Sequence, residues 1–166
     1  MNSKLLVAAA LLAAGSASAD ASAPQPTLAV RFVDPQQFTD ASFSYDQERE
    51  RSIVLRGIEQ HLRQLAAARL APDRSLEIEV LDVDLAGRFE PWRARTAEVR
   101  VVREIDWPRI TLRYTLRDDD DVLASGEDQV VDMSFLRTTN LYDRHDRLRY
   151  EKAMLDDWFE RRFAPW

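Results

Sequence analysis

Residues 76–85 read LEIEVLDVDL, and the positions of their apolar residues decide the fold. Apolar and acidic residues alternate, which is typical of a strand with one buried face. The apolar residues hold even-numbered positions up to Val80 and odd-numbered positions from Leu81, so a regular strand would turn its apolar face over halfway. One extra residue there restores a single face, and we therefore predict a β-bulge. The four acids then share the opposite, polar face: Glu77, Glu79, Asp82 and Asp84.

A strand and a long helix are predicted before this segment. Residues 28–33 alternate in apolar character, as a half-buried strand does. Ser44 and Gln47 match a helix capping box, and Pro72 ends the helix that follows. One face of this helix carries apolar residues at helical spacing: Leu55, Ile58, Leu62 and Leu65. A strand, helix and strand in this order form a crossover, so the two strands should lie parallel.

Three alternating runs and a second helix are predicted after it. The runs cover residues 99–105, 110–116 and 122–133, with a turn at 118–121, and their connections are too short for crossovers. We therefore expect an antiparallel meander. Residues 148–163 repeat large apolar residues at helical spacing, with Asp143 or Asp146 as the N-cap. The order of elements predicts an α+β two-layer sandwich, with one mixed sheet of about five strands and two helices packed on one face.

Composition excludes several classes of chemistry. The 166 residues contain no cysteine, two histidines and four glycines. Disulfides, thiolate metal sites, histidine-rich metal sites and glycine-rich phosphate loops are therefore excluded. The net charge of −6 argues against nucleic acid and anionic membranes as partners. We expect no cofactor.

The N-terminus has the three-part pattern of a secretory signal peptide. Residues 1–19 carry Lys4, a short apolar run and small residues up to Ala19. The run is too short to span a membrane as a helix. We predict a signal peptide at 1–19, a tether at 20–26 and a single domain at 27–166, with cleavage after Ala19 or Ala23. The mature chain is expected in the periplasm or outside the cell, without a transmembrane segment.

The densest cluster of polar and aromatic residues is DVDLAGRFEPWR at 82–93, where a strand ends. Such positions often carry binding residues. The candidate binding residues are Asp82, Asp84, Arg88, Glu90 and Trp92. A structural alternative is that the acids of the polar sheet face pair across strands with arginines. The candidate arginines are Arg31, Arg100, Arg113 and Arg117.

No catalytic or metal-binding residue is predicted. The aspartates at 118–121 fail the calcium-loop spacing, because Val122 and Leu123 stand where an acid and a glycine are needed. His145 lies between acids, but no Gly-x-Ser-x-Gly elbow supplies a nucleophile. His61 lies beside the apolar stripe of the first helix, and we expect a boundary residue there.

Several segments resemble the exported bacterial domain-of-unknown-function family 3016, over about residues 28–163. The segments are FVDP at 32–35, FTD at 38–40, DVDLAGRFEPWR at 82–93, RVVR at 100–103, RYTL at 113–116, DM and FL at 132–136, and LRYEKAMLDDWF at 148–159. The resemblance implies a single-domain exported protein of Gram-negative bacteria. It supplies no activity, cofactor or catalytic residue.

We expect a periplasmic, non-enzymatic binding or envelope-associated module. Its partner would be an envelope protein or a small polar ligand, and its oligomeric state stays open. One alternative is an envelope hydrolase that uses two carboxylates, which requires carboxyl groups roughly 5–9.5 Å apart beside a groove. Another is an assembly partner that binds through an exposed sheet edge.

Overall fold

A computed structural model describes residues 26–44, 47–92 and 99–163. The elements, in chain order, are β1 (Thr27–Phe32), a 3-10 turn (Pro35–Gln37), α1 (Gln47–Arg69), β2 (Arg74–Asp84), β3 (Arg88–Phe89), β4 (Arg100–Val101), β5 (Arg109–Asp118), β6 (Asp121–Val131) and α2 (Arg149–Phe163). The predicted signal peptide and most of the tether lie outside the described residues. None of the described helices is both long and apolar enough to cross a membrane.

Within the described ranges, the main sheet has four strands in the order β1-β2-β5-β6. β1 runs parallel to β2, as the crossover predicts, and the remaining pairs are antiparallel. Alternate residues of β2 and β5 are buried and form one core with the apolar faces of α1 and α2. The α+β two-layer sandwich is therefore confirmed, with a mixed sheet under two helices.

The predicted bulge in β2 is present. Val80 lies opposite Leu112, but the next paired residue is Asp82, opposite Thr111, so Leu81 is the extra residue. The apolar residues on both sides of the bulge are buried on the same face. A two-residue period thus persists through β2 only because one residue is left out of the pairing.

The cross-strand pairing of acids and arginines on the polar face of the sheet is present in part. Glu79 forms ion pairs with Arg31 on β1 and Arg113 on β5, and Arg113 also reaches Glu127 on β6. Arg31, Arg113 and Glu127 are largely exposed, so these pairs contribute little to stability. The other predicted pairs differ: Arg100 lies off this face, and Asp84 pairs with Arg109 instead of a predicted arginine. Asp82 binds Thr39.

The segment 99–105 is not a strand of the main sheet, so that part of the predicted meander is wrong. β2 and β5 pair directly along their lengths, which leaves no place for another strand between them. Instead, β3 and β4 pair with each other in a separate two-stranded ribbon. β5 and β6 form the predicted hairpin, with a turn at Asp119 and Asp120.

The helix termini follow local capping chemistry where they are described. Asp146 Oδ1 accepts a hydrogen bond from the backbone N–H of Leu148, one residue before α2, and Lys152 pairs with the same carboxylate. Asp146 is thus the acid at this helix start. The predicted capping box of α1 lies outside the described residues, because residues 45–46 and the side chain of Gln47 are not described.

Candidate functional site

A sharp turn at residues 85–87 ends β2 and directs the chain into the ribbon. Gly87 has a φ of 78°, a conformation that side chains disfavour. A Cβ atom at this position would lie 2.5 Å from the backbone oxygen of Val101 in β4. Both the backbone conformation and the close approach of β4 therefore require glycine.

Arg100 on β4 holds this turn from one side. Its guanidinium group donates hydrogen bonds to the carbonyl oxygens of residues 85–87 at 2.7–2.8 Å. It also donates to the carbonyl of Ser42 at 3.0 Å and pairs with Asp40 at 2.9 Å. The planar arginine group suits this set of acceptors, because its donors point in fixed, divergent directions. Burial in the ribbon explains why Arg100 is absent from the polar sheet face.

Glu151 in the first turn of α2 holds the same turn from the core side. One carboxylate oxygen, Oε1, accepts the backbone N–H of Ala86 at 2.8 Å. The side chain is 1% exposed, and burial raises its pKa to about 7. Sequence reasoning missed this residue. The available signal was its spacing, because Glu151 lies four residues before Leu155 and thus extends the buried stripe of α2 by one turn.

Three of the segments that carry the family resemblance meet at this turn. Residues 82–93 contain the turn, residues 100–103 contain Arg100, and residues 148–159 contain Glu151. The strings that look most distinctive in the sequence therefore form one connected structural unit.

A cleft of about 360 Å³ lies beside the turn. Its polar lining combines carboxylates and guanidinium groups: Asp40, Asp84, Asp106, Arg88 and Arg109. Ile105 and Trp107, which are both exposed, contribute apolar surface. The backbone of Asp40 is fixed against the end of β2, since its N–H donates to the carbonyl of Val83 and its own carbonyl accepts the N–H of Leu85.

Two ion pairs cross the lining of the cleft. Arg109 donates to Asp84 at 3.1 Å, and Arg88 lies 3.6 Å from Asp106. Burial raises the pKa of Asp84, and the negative charges of Asp40 and Asp82 add to this effect, while Arg109 opposes it. A carboxyl group with a raised pKa in an open cleft is a candidate functional group.

The cleft brings together two of the five predicted binding residues, Asp84 and Arg88. It adds Asp106, Trp107 and Arg109, which sequence reasoning did not select as site residues. Trp107 carried a signal, since it is an indole next to a proline outside regular structure. Asp106 and Arg109 carried no signal in the sequence beyond their positions, in the loop before β5 and at the first residue of β5.

The other three predicted binding residues lie outside the cleft. Asp82 accepts hydrogen bonds from the backbone N–H and the hydroxyl group of Thr39, at 2.7 and 2.8 Å. Glu90 is 1% exposed and pairs with Arg103. Trp92 is 67% exposed, and the chain beyond it at 93–98 is not described. Asp82 and Glu90 thus hold loops in place.

A second polar cluster lies between the two helices. His61 of α1 is buried, so the expectation of a boundary residue is wrong. Its Nε2 lies 2.8 Å from Asp156 of α2, whose other oxygen accepts the hydroxyl group of Tyr142 at 2.7 Å. Burial lowers the pKa of His61, and Asp156 opposes that shift. This cluster joins α1 to α2.

Within the described ranges, no group of three or more acidic or histidine side chains is placed to hold a metal ion.

Comparison with known proteins identifies one family. The family described as "Protein of unknown function (DUF3016)" matches residues 26–161, which confirms the resemblance seen in the sequence segments. No curated protein and no solved structure shows significant similarity to the chain.

Proposed function

We propose that this chain, which belongs to the DUF3016 family, is an exported binding module that holds a small polar ligand in the cleft beside residues 85–87. The observation that supports binding at this place is the position of Asp84. Its carboxyl group is half-buried with a raised pKa, yet it lines an open cleft with charged groups of both signs. Burying such a group costs free energy that a ligand with matching hydrogen-bonding groups can offset.

The lining indicates the chemistry of the ligand. Asp84 and Asp106 offer acceptors, Arg88 and Arg109 offer donors, and Trp107 offers an indole surface. A ligand with one apolar face and several hydroxyl or amino groups, such as a sugar ring, satisfies all three. We favour binding over catalysis because arginines already engage both acceptor carboxylates.

The export prediction motivates the first experiment. The full-length chain is expressed in a Gram-negative host, and the N-terminus of the protein recovered from the periplasm is determined by mass spectrometry. We expect a mature chain that begins at Asp20 or Pro24, because small residues precede both sites. Recovery of the unprocessed chain from the cytoplasm would contradict the proposed address.

The ligand is sought by screening the mature protein on glycan arrays and against polar metabolites by thermal shift. A compound that raises the melting temperature is then titrated into two tryptophan variants. Trp107→Ala should weaken its binding at least about tenfold, a loss typical of a buried aromatic contact. Trp92→Ala is the matched control and should leave binding unchanged, because Trp92 lies outside the cleft. Equal weakening in both variants would contradict the location.

A carboxylate-dependent hydrolase is the second candidate, supported by the joint presence of Asp40 and Asp84 in the cleft. The raised pKa of Asp84 suits a general acid, while Asp40 is held beside Arg100. The mature protein is assayed on fluorogenic glycosides. Hydrolysis that Asp84→Asn abolishes, with the variant still folded, would favour this candidate, whereas hydrolysis unaffected by the substitution would exclude it.

A further inference from the structure

The outer edge of β6 is an open strand edge in the described part of the chain. Among the residues that the structure describes, β6 is the last strand of the sheet and pairs only with β5. From Ala124 to Val131 this pairing is continuous, so the strand is regular over eight residues. Every second residue of such a strand directs its N–H and C=O groups away from its neighbour.

β6 has few of the features that usually protect an edge; the exception is one charge on the helix side, Asp128, which Trp158 and Arg162 bind. Natural edge strands are commonly short, or they carry lysine, proline or a central bulge. The sequence of β6 is DVLASGEDQVV, with no basic residue and no proline. Its single irregularity lies near the start, opposite Leu116 and Arg117. The long regular part is therefore available for pairing with another strand.

The charge of β6 indicates which strand it can accept. The strand carries Asp121, Glu127 and Asp128, and it follows a hairpin turn with Asp119 and Asp120 exposed. Glu127 and Asp128 already pair with Arg113 and Arg162. The exposed acids at 119–121 still make the start of β6 negative, so an added strand with basic residues would meet complementary charges there, and one with acidic residues would meet like charges. On the helix side, β6 presents Ala124, which is half-buried, and Gly126, which the ring of Tyr114 covers.

We propose that β6 binds an extended segment of a partner protein by strand addition, and that this segment alternates basic and apolar residues. Basic side chains would lie on the polar face of the sheet toward the exposed acids at 119–121 and near Glu127, and apolar side chains on the helix side near Ala124. Backbone hydrogen bonds supply affinity in this mode, and the alternating side chains supply specificity. The surface is separate from the cleft, so either proposal can fail without the other.

The probes are two synthetic octapeptides of alternating sequence, one of lysine and valine and one of glutamate and valine. Binding to the mature protein is measured by calorimetry, and hydrogen exchange by mass spectrometry. We expect the lysine peptide to bind and to slow exchange of the outward amides of residues 124–131 by at least about tenfold, because each gains a backbone partner. The glutamate peptide should not bind.

Two double variants separate strand addition from net charge. Ser125→Lys with Gln129→Lys places basic residues on the edge of β6, where both side chains are exposed. This variant should bind the lysine peptide at least about tenfold more weakly, because the like charges repel by roughly 1.4 kcal/mol or more. Thr27→Lys with Ala29→Lys makes the same charge change at exposed positions of β1 and should have little effect. Trp107→Ala should bind the peptide as the wild-type protein does.

Several results would overturn the proposal. Failure of the lysine peptide to bind would do so, as would binding without slowed exchange in β6, which would indicate contact through side chains alone. Equal weakening by both double variants would assign the binding to net charge. Dimers of the free protein that Ser125→Lys with Gln129→Lys abolishes would make a second copy of the chain the occupant of the edge.

Discussion

Glu151 gives the protein a pH-dependent stability that one substitution should remove. Burial raises the pKa of Glu151 from an ordinary value of 4.5 to about 7. The folded chain therefore holds this proton more tightly than the unfolded chain. The contribution of Glu151 to stability is fully present below pH 4.5 and is lost as the pH rises through about 7. Glu151→Gln keeps an oxygen for the N–H of Ala86 and removes the ionisation.

The expected magnitude follows from the two pKa values. They differ by about 2.5 pH units, and one unit corresponds to about 1.4 kcal/mol. Ionisation of Glu151 should therefore lower the free energy of unfolding by about 2–3 kcal/mol between pH 5 and pH 8. The glutamine also buries an amide group where Oε2 has no hydrogen-bond partner among the described residues. That cost of about 1–3 kcal/mol is the same at every pH. The change with pH in the stability difference between Glu151→Gln and wild type therefore reports the ionisation of Glu151.

Urea unfolding followed by tryptophan fluorescence at pH 5, 6, 7 and 8 measures how this stability difference changes with pH. The stability of Glu151→Gln relative to wild type should rise across the series. Glu160→Gln is the control in the same helix, because its side chain is 63% exposed. It should differ from wild type by less than about 1 kcal/mol. Parallel curves for wild type and Glu151→Gln would refute the reasoning, since they would show that Glu151 does not ionise with a shifted pKa in this range.

Four further substitutions test the turn at residues 85–87 and the contacts of α1. Gly87→Ala should lower the free energy of unfolding by more than about 2 kcal/mol in thermal unfolding, because φ is positive and the added methyl group meets backbone. Gly57→Ala should cost less, since the methyl group there meets the flexible end of a leucine side chain. Arg100→Lys should cost about 2–4 kcal/mol in urea unfolding, because one ammonium group cannot reach all the carbonyl groups of the turn. In NMR of labelled histidines, His61 should titrate below pH 6.5, and Asp156→Asn should lower its pKa further; a value above 6.5 would contradict the assignment.

The sequence was sufficient to predict β1, β2, β5 and β6 because alternation reports burial directly. Each residue of a strand faces the side opposite to its neighbours, so the loss of parity at Val80 and Leu81 had one economical explanation, the bulge. The closing helix was predictable for the same reason, since its large apolar residues recur with helical spacing. Both predictions rest on neighbours in sequence that face one core.

The ribbon could not be predicted in this way. Alternation at 99–105 indicates an extended chain, but it carries no information on which strand will pair with it. The pairing is decided by Gly87, which turns the chain, and by Arg100, whose acceptors lie 13–58 residues earlier. Such contacts depend on the packed structure, and no local pattern encodes them.

The candidate site was only partly predictable because closeness in sequence differs from closeness in space. Residues 82–93 are the densest polar segment, but a strand, a turn and a ribbon send its side chains in different directions. Asp84 and Arg88 reach the cleft, while Trp92 does not. The indole in the cleft is Trp107, from the loop before β5, so the right kind of residue was expected at the wrong position.

The turn at residues 85–87 links the stability of the fold to the shape of the cleft. Arg100 holds the carbonyl groups of this turn and also pairs with Asp40, which lines the cleft. Glu151 holds the N–H of Ala86 from the core side. Because Gly87 is itself part of the lining, displacement of either support moves the cleft wall. Arg100→Lys should therefore weaken a cleft ligand without touching it, whereas a change at exposed Trp92 should not.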